Sequence, residues 1–419
     1  APSAATTAPV AAPADRAAAP PPRALDRRGA ALLSFAHFCT DFAQGAVPAL
    51  LPVVVVSLGL SYAVAATLVL AVAASSSVLQ PMFGLVADKR SSTWLAPVGV
   101  GLAGLGIALA GLAPGYASLV AALLVCGLGV AAFHPEAMRM ATWVAGDQRA
   151  MGMSIFSVGG TAGFALAPVV AAVLMDGLGQ IGLVLLGIPG IIAAGVAWRR
   201  LTYLEALRPP APASTAEHRA VSGPDQWGAF AWLTGAIGMR SVAVSGISTF
   251  LPLYLVHDFG ASAREGAVAL SLFTGCGVLG SLAGGAIADR IGRRRLALWA
   301  LWGSTAVLAP LAFVTAPWAA YLTLMLGGFV LFMPFSAMTV MGQSFLPSRV
   351  GTASGVTVGL AVTIGGLMAP VLGGVADEHG LRALYGGLVL VPVVASVLLM
   401  PLPRERVQAH ARVVAAGEG

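Results

Sequence analysis

Residues 265–295 read EGAVALSLFTGCGVLGSLAGGAIADRIGRRR. Between Glu265 and Asp289 no Asp, Glu, Lys, Arg or His interrupts the run. As a helix it would extend roughly 34 Å, enough to cross a hydrocarbon core about 30 Å thick. It closes on Gly285-Ala-Ile-Ala-Asp289-Arg290-Ile-Gly292-Arg293-Arg294, an acid set among basic residues as at the edge of a membrane. The same Gly-x-x-x-Asp-basic pattern closes an earlier apolar run as Gly84-Leu-Val-Ala-Asp88-Lys89, so Asp289 lies 201 residues after Asp88. A second pair, Gly163-Phe-Ala-Leu-Ala167-Pro168 and Gly365-Gly-Leu-Met-Ala369-Pro370, is offset by 202 residues. Both offsets are close to half of a 419-residue chain, and two related halves account for them together.

The composition outside this stretch agrees. Hydrophobic residues make up 58% of the chain, charged residues 10%, and the mean hydropathy is +0.88. A soluble domain carries roughly 25% charge, so no water-facing surface could be covered this sparsely. Apolar runs recur near 30–57, 63–87, 94–113, 117–139, 150–175, 180–198, 228–256, 265–288, 296–315, 318–341, 351–376 and 381–401. The expected fold is an all-α membrane protein of twelve transmembrane helices in two six-helix halves related by pseudo-two-fold symmetry. Residues 1–28, rich in Ala and Pro, read as a disordered cytoplasmic tail. The halves are expected at 29–198 and 227–402, with a cytoplasmic linker at 199–226 and a cytoplasmic tail at 403–419. The first apolar run is too long for a signal-peptide core.

Orientation follows from the basic residues. Of 23 Lys and Arg, 20 fall in the tails and in loops on one side, Arg264 and Arg382 fall on the other, and Arg240 lies inside a run. The positive-inside rule then places both termini in the cytoplasm. The net charge of +6 is scattered between apolar runs, with no folded basic surface to bind nucleic acid. The sole lysine, Lys89, follows Asp88, so there is no Walker A motif and no ATP-driven pump. Gly99-x-Gly101-x-x-Gly104 matches a dinucleotide fingerprint in form, but it sits within an apolar run and reads as helix packing. Cys39, Cys126 and Cys276 read as small buried residues. No nucleophile arrangement, metal-ligand set or cofactor is expected, and the protein is not read as an enzyme.

Function is expected where charge enters the membrane at a cost of about 2.5–3.5 kcal/mol per group. Only His37, Asp41, His134, Glu136 and Arg240 lie well inside the runs. His37 and Asp41 are spaced i, i+4 and share a helix face, with Asp41 near the bilayer centre. Asp41 is the first candidate for a proton-coupling group, with His37, His134 and Glu136 beside it. Glu136 has a second reading as a clamp on Arg139, at i, i+3. Arg240 falls in the seventh run, at the position of the second half that corresponds to Asp41 in the first. It reads as a ligand for an anionic substrate group or as the partner of Asp41. Gln80, Gln343 and Phe38 are weaker substrate candidates. Gly84, Asp88, Lys89, Gly285, Asp289, Arg290, Arg293 and Arg139 are read as gating residues at the cytoplasmic edge.

Twelve runs, a central loop and twin Gly-x-x-x-Asp-(Lys/Arg) loops resemble the major facilitator superfamily over about residues 30–401. Ser34-Phe-Ala-His37-Phe-Cys-Thr-Asp41, Leu79-Gln80-Pro81, Phe133-His134-Pro135-Glu136 and Ser154-Ile-Phe-Ser-Val-Gly159-Gly160 are similar to stretches of the fosmidomycin resistance proteins. The resemblance implies proton-driven export of a small toxic compound by a single chain in the bacterial inner membrane. The partners it implies are the lipid bilayer, protons and a small-molecule substrate, with proton-coupled import as the alternative. The first loop departs from the pattern by lacking the Gly-Arg-Arg ending. Ala167-Pro168 and Ala369-Pro370 stand where antiporters of the family carry Gly-Pro.

Overall fold

Prolines and glycines set where the spans bend and stop. In the computed structural model the first span is two helices, α1 (Arg27–Gly45) and α2 (Val47–Leu58). They meet at Ala46, just before Pro48, which has no N–H to continue the ladder. There follow α3 (Tyr62–Lys89), α4 (Leu95–Gly111), α5 (Tyr116–Ala145), α6 (Arg149–Leu178), α7 (Gly182–Arg199) and the short α8 (Leu201–Ala206). The second half has α9 (Trp227–Phe259), α10 (Ala263–Ile291) and α11 (Arg293–Leu308). Helices α12 (Pro317–Phe332) and α13 (Phe335–Phe345) share the tenth span, α14 (Ala361–His379) belongs to the eleventh, and α15 (Leu381–Leu388) and α16 (Val391–Leu399) share the last. The structure describes residues 23–89, 92–209, 224–349, 352–353, 356–357 and 361–403, with 85–89, 149–150 and 361–362 described by backbone alone. The readings of 1–22, 210–223 and 404–419 lie outside the described residues.

Among the described residues, nine helical stretches are long and apolar enough to cross a membrane. One of them, Met151–Arg199, holds two spans divided by the 3-10 turn at Gly179–Ile181. The 17-residue α4 and the 19-residue α14 are the remaining spans, so each of the twelve expected runs holds helix among its described residues, in the expected order. No strand occurs among the described residues. Helix α4, which carries the Gly99-x-Gly101-x-x-Gly104 sequence, packs between α5 and α7.

The halves meet through α3 against α14 and α6 against α10, with α2 lying on α9. One buried apolar cluster runs through both halves at the end away from the basic loops, from Leu50, Leu51 and Val54 to Leu253, Tyr254 and Tyr385. At the basic end, each half keeps its own cluster. One is built on Leu33, Phe133, Met140 and Phe156, the other on Phe230, Leu301, Met341 and Leu399. The molecule is therefore joined at one end and divided at the other. Asp377 of α14 reinforces the joined end. Its carboxylate accepts from the Tyr62 and Ala63 amides at 2.7 and 2.9 Å, capping the start of α3 in the other half. Losing such a cap costs about 0.5–2 kcal/mol, a roughly 2–30-fold shift toward opening. Asp377→Ala is expected to lengthen the distance between spin labels at Ser61 and Glu378. An unchanged distribution would show that the cap does not hold this end.

Two local readings need correction. Gly285, singled out from the loop motif, makes no close helix contact, since a Cβ there would meet nothing within 4 Å. The close approach is made earlier on α10, where a Cβ on Gly280 or Gly284 would collide with the Phe329 or Met333 carbonyl. Gly280→Ala is expected to lower thermal stability in detergent by about 1–3 kcal/mol, and Gly285→Ala by less than about 0.5 kcal/mol. The tail reading also fails at residues 23–28. The Arg23 amide donates to Asp147 at 2.8 Å, Asp26 Oδ1 caps α1 through the Gly29 amide at 2.6 Å, and the Tyr203 hydroxyl of α8 donates to the same oxygen. That bond to Asp26 holds the Tyr203 phenol above its ordinary ionisation range. Sequence reading missed the ties to Asp147 and Tyr203 because these partners lie more than a hundred residues away.

Candidate functional site

The helical period brings His37 and Asp41 together on α1, with His37 Nε2 3.2 Å from Asp41 Oδ2. A third group joins them from α5, where His134 Nε2 lies 3.4 Å from the other carboxylate oxygen, Oδ1. The far nitrogens of both rings face backbone carbonyls. His37 Nδ1 is 2.8 Å from the Phe156 oxygen on α6, and His134 Nδ1 is 2.9 Å from the Val130 oxygen one turn back. A carbonyl only accepts, so each Nδ1 carries the hydrogen and donates it. In the neutral ring Nε2 is then a bare lone pair, and here it faces a carboxylate that has no hydrogen to give when ionised. Each of the two contacts becomes favourable only when a cation sits between nitrogen and oxygen.

The surroundings fix this arrangement. The His37 ring stacks on Phe156 with centroids 4.1 Å apart and meets the His134 ring edge-on at 5.0 Å. On α6, Gly160 lies against the pair, and a Cβ there would collide with His37 Nε2 and lie 2.5 Å from Asp41 Oδ2. The side chains of His37, Asp41 and His134 keep 11, 15 and 18% of their surface exposed, so the group is recessed but not sealed.

Glu136 takes the other of its two sequence readings. It is fully buried and pairs with Arg139, Nη2 to Oε1 at 2.6 Å, while the Arg139 guanidinium lies over Trp143. His134 and Glu136, two residues apart, thus serve different groups. Breaking a buried pair from one side costs about 3–5 kcal/mol. Glu136→Gln is therefore expected to lower the melting temperature in detergent strongly, and an unchanged melting temperature would remove the clamp.

Arg240 is 5% exposed on α9. Its Nε donates to the Leu331 carbonyl at 2.9 Å, and its guanidinium lies 5.5 Å from the ring centres of both Phe332 and Phe335. Among the described residues no carboxylate pairs with it, so the expected partnership with Asp41 is not made in this structure. A small recess beside Arg240 is lined by Ile237, Phe335, Met338, Thr339 and Thr357. Gln80 and Gln343 are half-buried, and half-buried Phe38 stacks between Phe35 and Phe42 at 6.4 and 5.4 Å. None of the three is brought into the His37–Asp41–His134 group. Of the gating residues, Asp289 and Arg290 are exposed, and the Asp88 and Lys89 side chains lie outside the described residues.

Sequence reading missed two features of this site. One is the convergence of His134 on Asp41. The other is that three ligand-type atoms lie within 4.8 Å of one another, which corrects the expectation that no metal-ligand set is present. The only available signal was the crowding of two histidines and an acid into the short set of intramembrane charges.

Comparisons with known proteins bear on the whole of this chain. The family model for the Major Facilitator Superfamily matches residues 33–370 and 233–417. An uncharacterized MFS-type transporter, YfnC of Bacillus subtilis (strain 168), is 31% identical over 388 residues, covering 90% of this chain and 92% of that protein. The fosmidomycin resistance protein of Escherichia coli (strain K12) is 30% identical over 393 residues, covering 89% and 92%. Among solved structures, a bacterial homolog of the human lysosomal transporter Spinster, inward-facing and occupied, superposes with a TM-score of 0.75 at 16% identity over 89% of this chain and 96% of that one. A point mutant of the nucleoside transporter NupG gives 0.69 at 15% identity over 90% and 99%. Twelve spans in two halves, the whole-chain family match and relatives aligned almost end to end converge on one conclusion: this chain is a membrane transporter and belongs to the major facilitator superfamily.

Proposed function

We propose that this protein is a proton-coupled secondary transporter that exports a small toxic compound from the bacterial cytoplasm in exchange for protons. The carrying observation is the His37–Asp41–His134 group, whose two nitrogen–oxygen contacts lack a hydrogen when both rings are neutral and Asp41 is ionised. Such a group gains a proton with benefit and gives one up only when its surroundings change. Asp41 is the carrier in preference to Glu136, because the Arg139 guanidinium at 2.6 Å from Glu136 favours the ionised carboxylate and opposes its protonation.

The positive-inside bias turns the divided, basic end toward the cytoplasm with both termini, which makes this conformation inward-facing. In this state the substrate enters between the halves and Asp41 loses its proton to the cytoplasm. After the halves rock, protonation from outside releases the substrate. Arg240 binds an anionic group of the substrate, since a buried cation with no carboxylate partner among the described residues offers its fork to one. Gln80, Gln343 and Phe38 contribute at the cavity wall. On closure of the cytoplasmic end, the loops around Gly84, Asp88 and Lys89 and around Gly285, Asp289, Arg290 and Arg293, with Arg139, come together as the latch. The 30% identical fosmidomycin resistance protein supports efflux over uptake.

Growth of cells with and without the protein across a panel of toxic compounds, fosmidomycin included, identifies the substrate. Proteoliposomes with an imposed pH gradient then test the direction. An exporter drives substrate against proton entry and an importer drives it with the proton. Absence of any gradient-driven movement would overturn the reading.

A further inference from the structure

The geometry points to a second occupant for the His37–Asp41–His134 group: we infer that it is a binding site for a transition-metal dication of the Zn2+ class, open to solvent on at least one side. The observation is a mismatch of distances. A charge-assisted N–H···O bond is about 2.7–2.9 Å long, whereas the two contacts here are 3.2 and 3.4 Å. Two ligand atoms on one tetrahedral Zn2+, each bonded at about 2.0–2.1 Å, stand roughly 3.3–3.4 Å apart. The two contacts end on different oxygens of the Asp41 carboxylate, and one ligand-type atom from each of the three residues lies within 4.8 Å of the other two.

The outer contacts suit the same purpose. Metal-binding histidines nearly always donate the second ring N–H to a carboxylate or backbone carbonyl, which fixes the tautomer and aims the lone pair. Both rings do this, to Phe156 and Val130. Two imidazoles with one carboxylate select zinc-like ions over Mg2+ and Ca2+, which prefer oxygen ligands. Three protein ligands leave a coordination position free, and the 11–18% residual exposure of these side chains gives solvent a path to it. Gly160 lets α6 lie directly against the group, since any Cβ there would press on His37 and Asp41.

The test is titration of the full-length, tag-free protein in detergent with Zn2+ against a chromophoric chelator. Wild type is expected to take up one ion tightly, without competition from excess Mg2+. His37→Ala, His134→Gln and Asp41→Asn should each weaken uptake by at least the ~10–100-fold that even loss of an outer-shell partner costs. His257→Ala, at the exposed pair with Asp258, should change nothing. Co2+ provides a second readout that requires no affinity: wild type should develop visible ligand-field bands that His134→Gln lacks, provided the variant elutes as monodisperse protein. Wild type binding no better than His37→Ala/His134→Ala, or losing the ion equally to Mg2+, overturns the site. The binding does not depend on the transport mechanism, but one consequence rests on it. If the same lone pairs carry the transported proton, Zn2+ should also stop transport. Tight binding with transport indifferent to zinc would leave the metal site standing and overturn the coupling assignment instead.

Discussion

Asp41→Asn protein is expected to exchange substrate across vesicles at equal pH and to lose all concentration of substrate driven by a pH gradient. Asn keeps the shape and polarity of the side chain, so the cavity and helix packing stay intact. It cannot ionise, however, and the group can no longer alternate between protonated and ionised states. Two effects add in the drive-dependent assay. The carboxylate that takes the proton is gone, and the amide NH2 can donate to the lone pair of one ring, His37 at 3.2 Å or His134 at 3.4 Å, while its carbonyl faces the other. The Asn variant is thus locked in a state resembling the protonated one. Gradient-driven transport should fall to that of protein-free vesicles while exchange persists. Retention of gradient-driven transport with normal pH dependence would exclude Asp41 as the carrier.

Arg240→Ala carries the second large effect. A hydrogen bond to a charged group contributes about 1.5–3 kcal/mol, so losing the guanidinium should weaken an anionic substrate by roughly 10–150-fold. A neutral analogue of the same compound should lose little. Arg240→Lys is the sharper variant. It keeps the charge, but a Lys ammonium cannot reproduce the planar fork stacked between Phe332 and Phe335 while Nε reaches the Leu331 carbonyl. Its affinity should fall between those of wild type and Arg240→Ala. Unchanged affinity for an anionic substrate in Arg240→Ala would remove the residue from the binding site and leave it a structural cation.

The architecture was legible in the amino-acid sequence because lipid leaves few choices. Every backbone polar group must be satisfied within its own segment, so each apolar run becomes a helix, and the repeat of Asp88 at Asp289 betrays the two halves. Within one helix the site was legible too, since i, i+4 spacing places His37 beside Asp41. What spacing could not supply was contact between helices. His134 reaches Asp41 only because α5 packs beside α1. The pairing of Arg240 with Asp41 is not made for a related reason: matching positions in two repeats do not by themselves bring side chains into contact, and Arg240 instead reaches the Leu331 carbonyl. Asp377 reads as an ordinary acid at a helix end, and only the packing of α14 on α3 turns it into the cap of a helix in the other half. Gly285 was singled out from a motif, whereas the helix surface placed the close contact on Gly284.

Counting protons during binding tests the central claim most directly. A transported compound is added to wild-type protein in weakly buffered detergent solution near neutral pH, and the release is read with an indicator dye. Wild type is expected to release protons in proportion to substrate bound, and Asp41→Asn to release none at equal occupancy. Wild type that binds the compound fully without releasing a proton at any pH would contradict it.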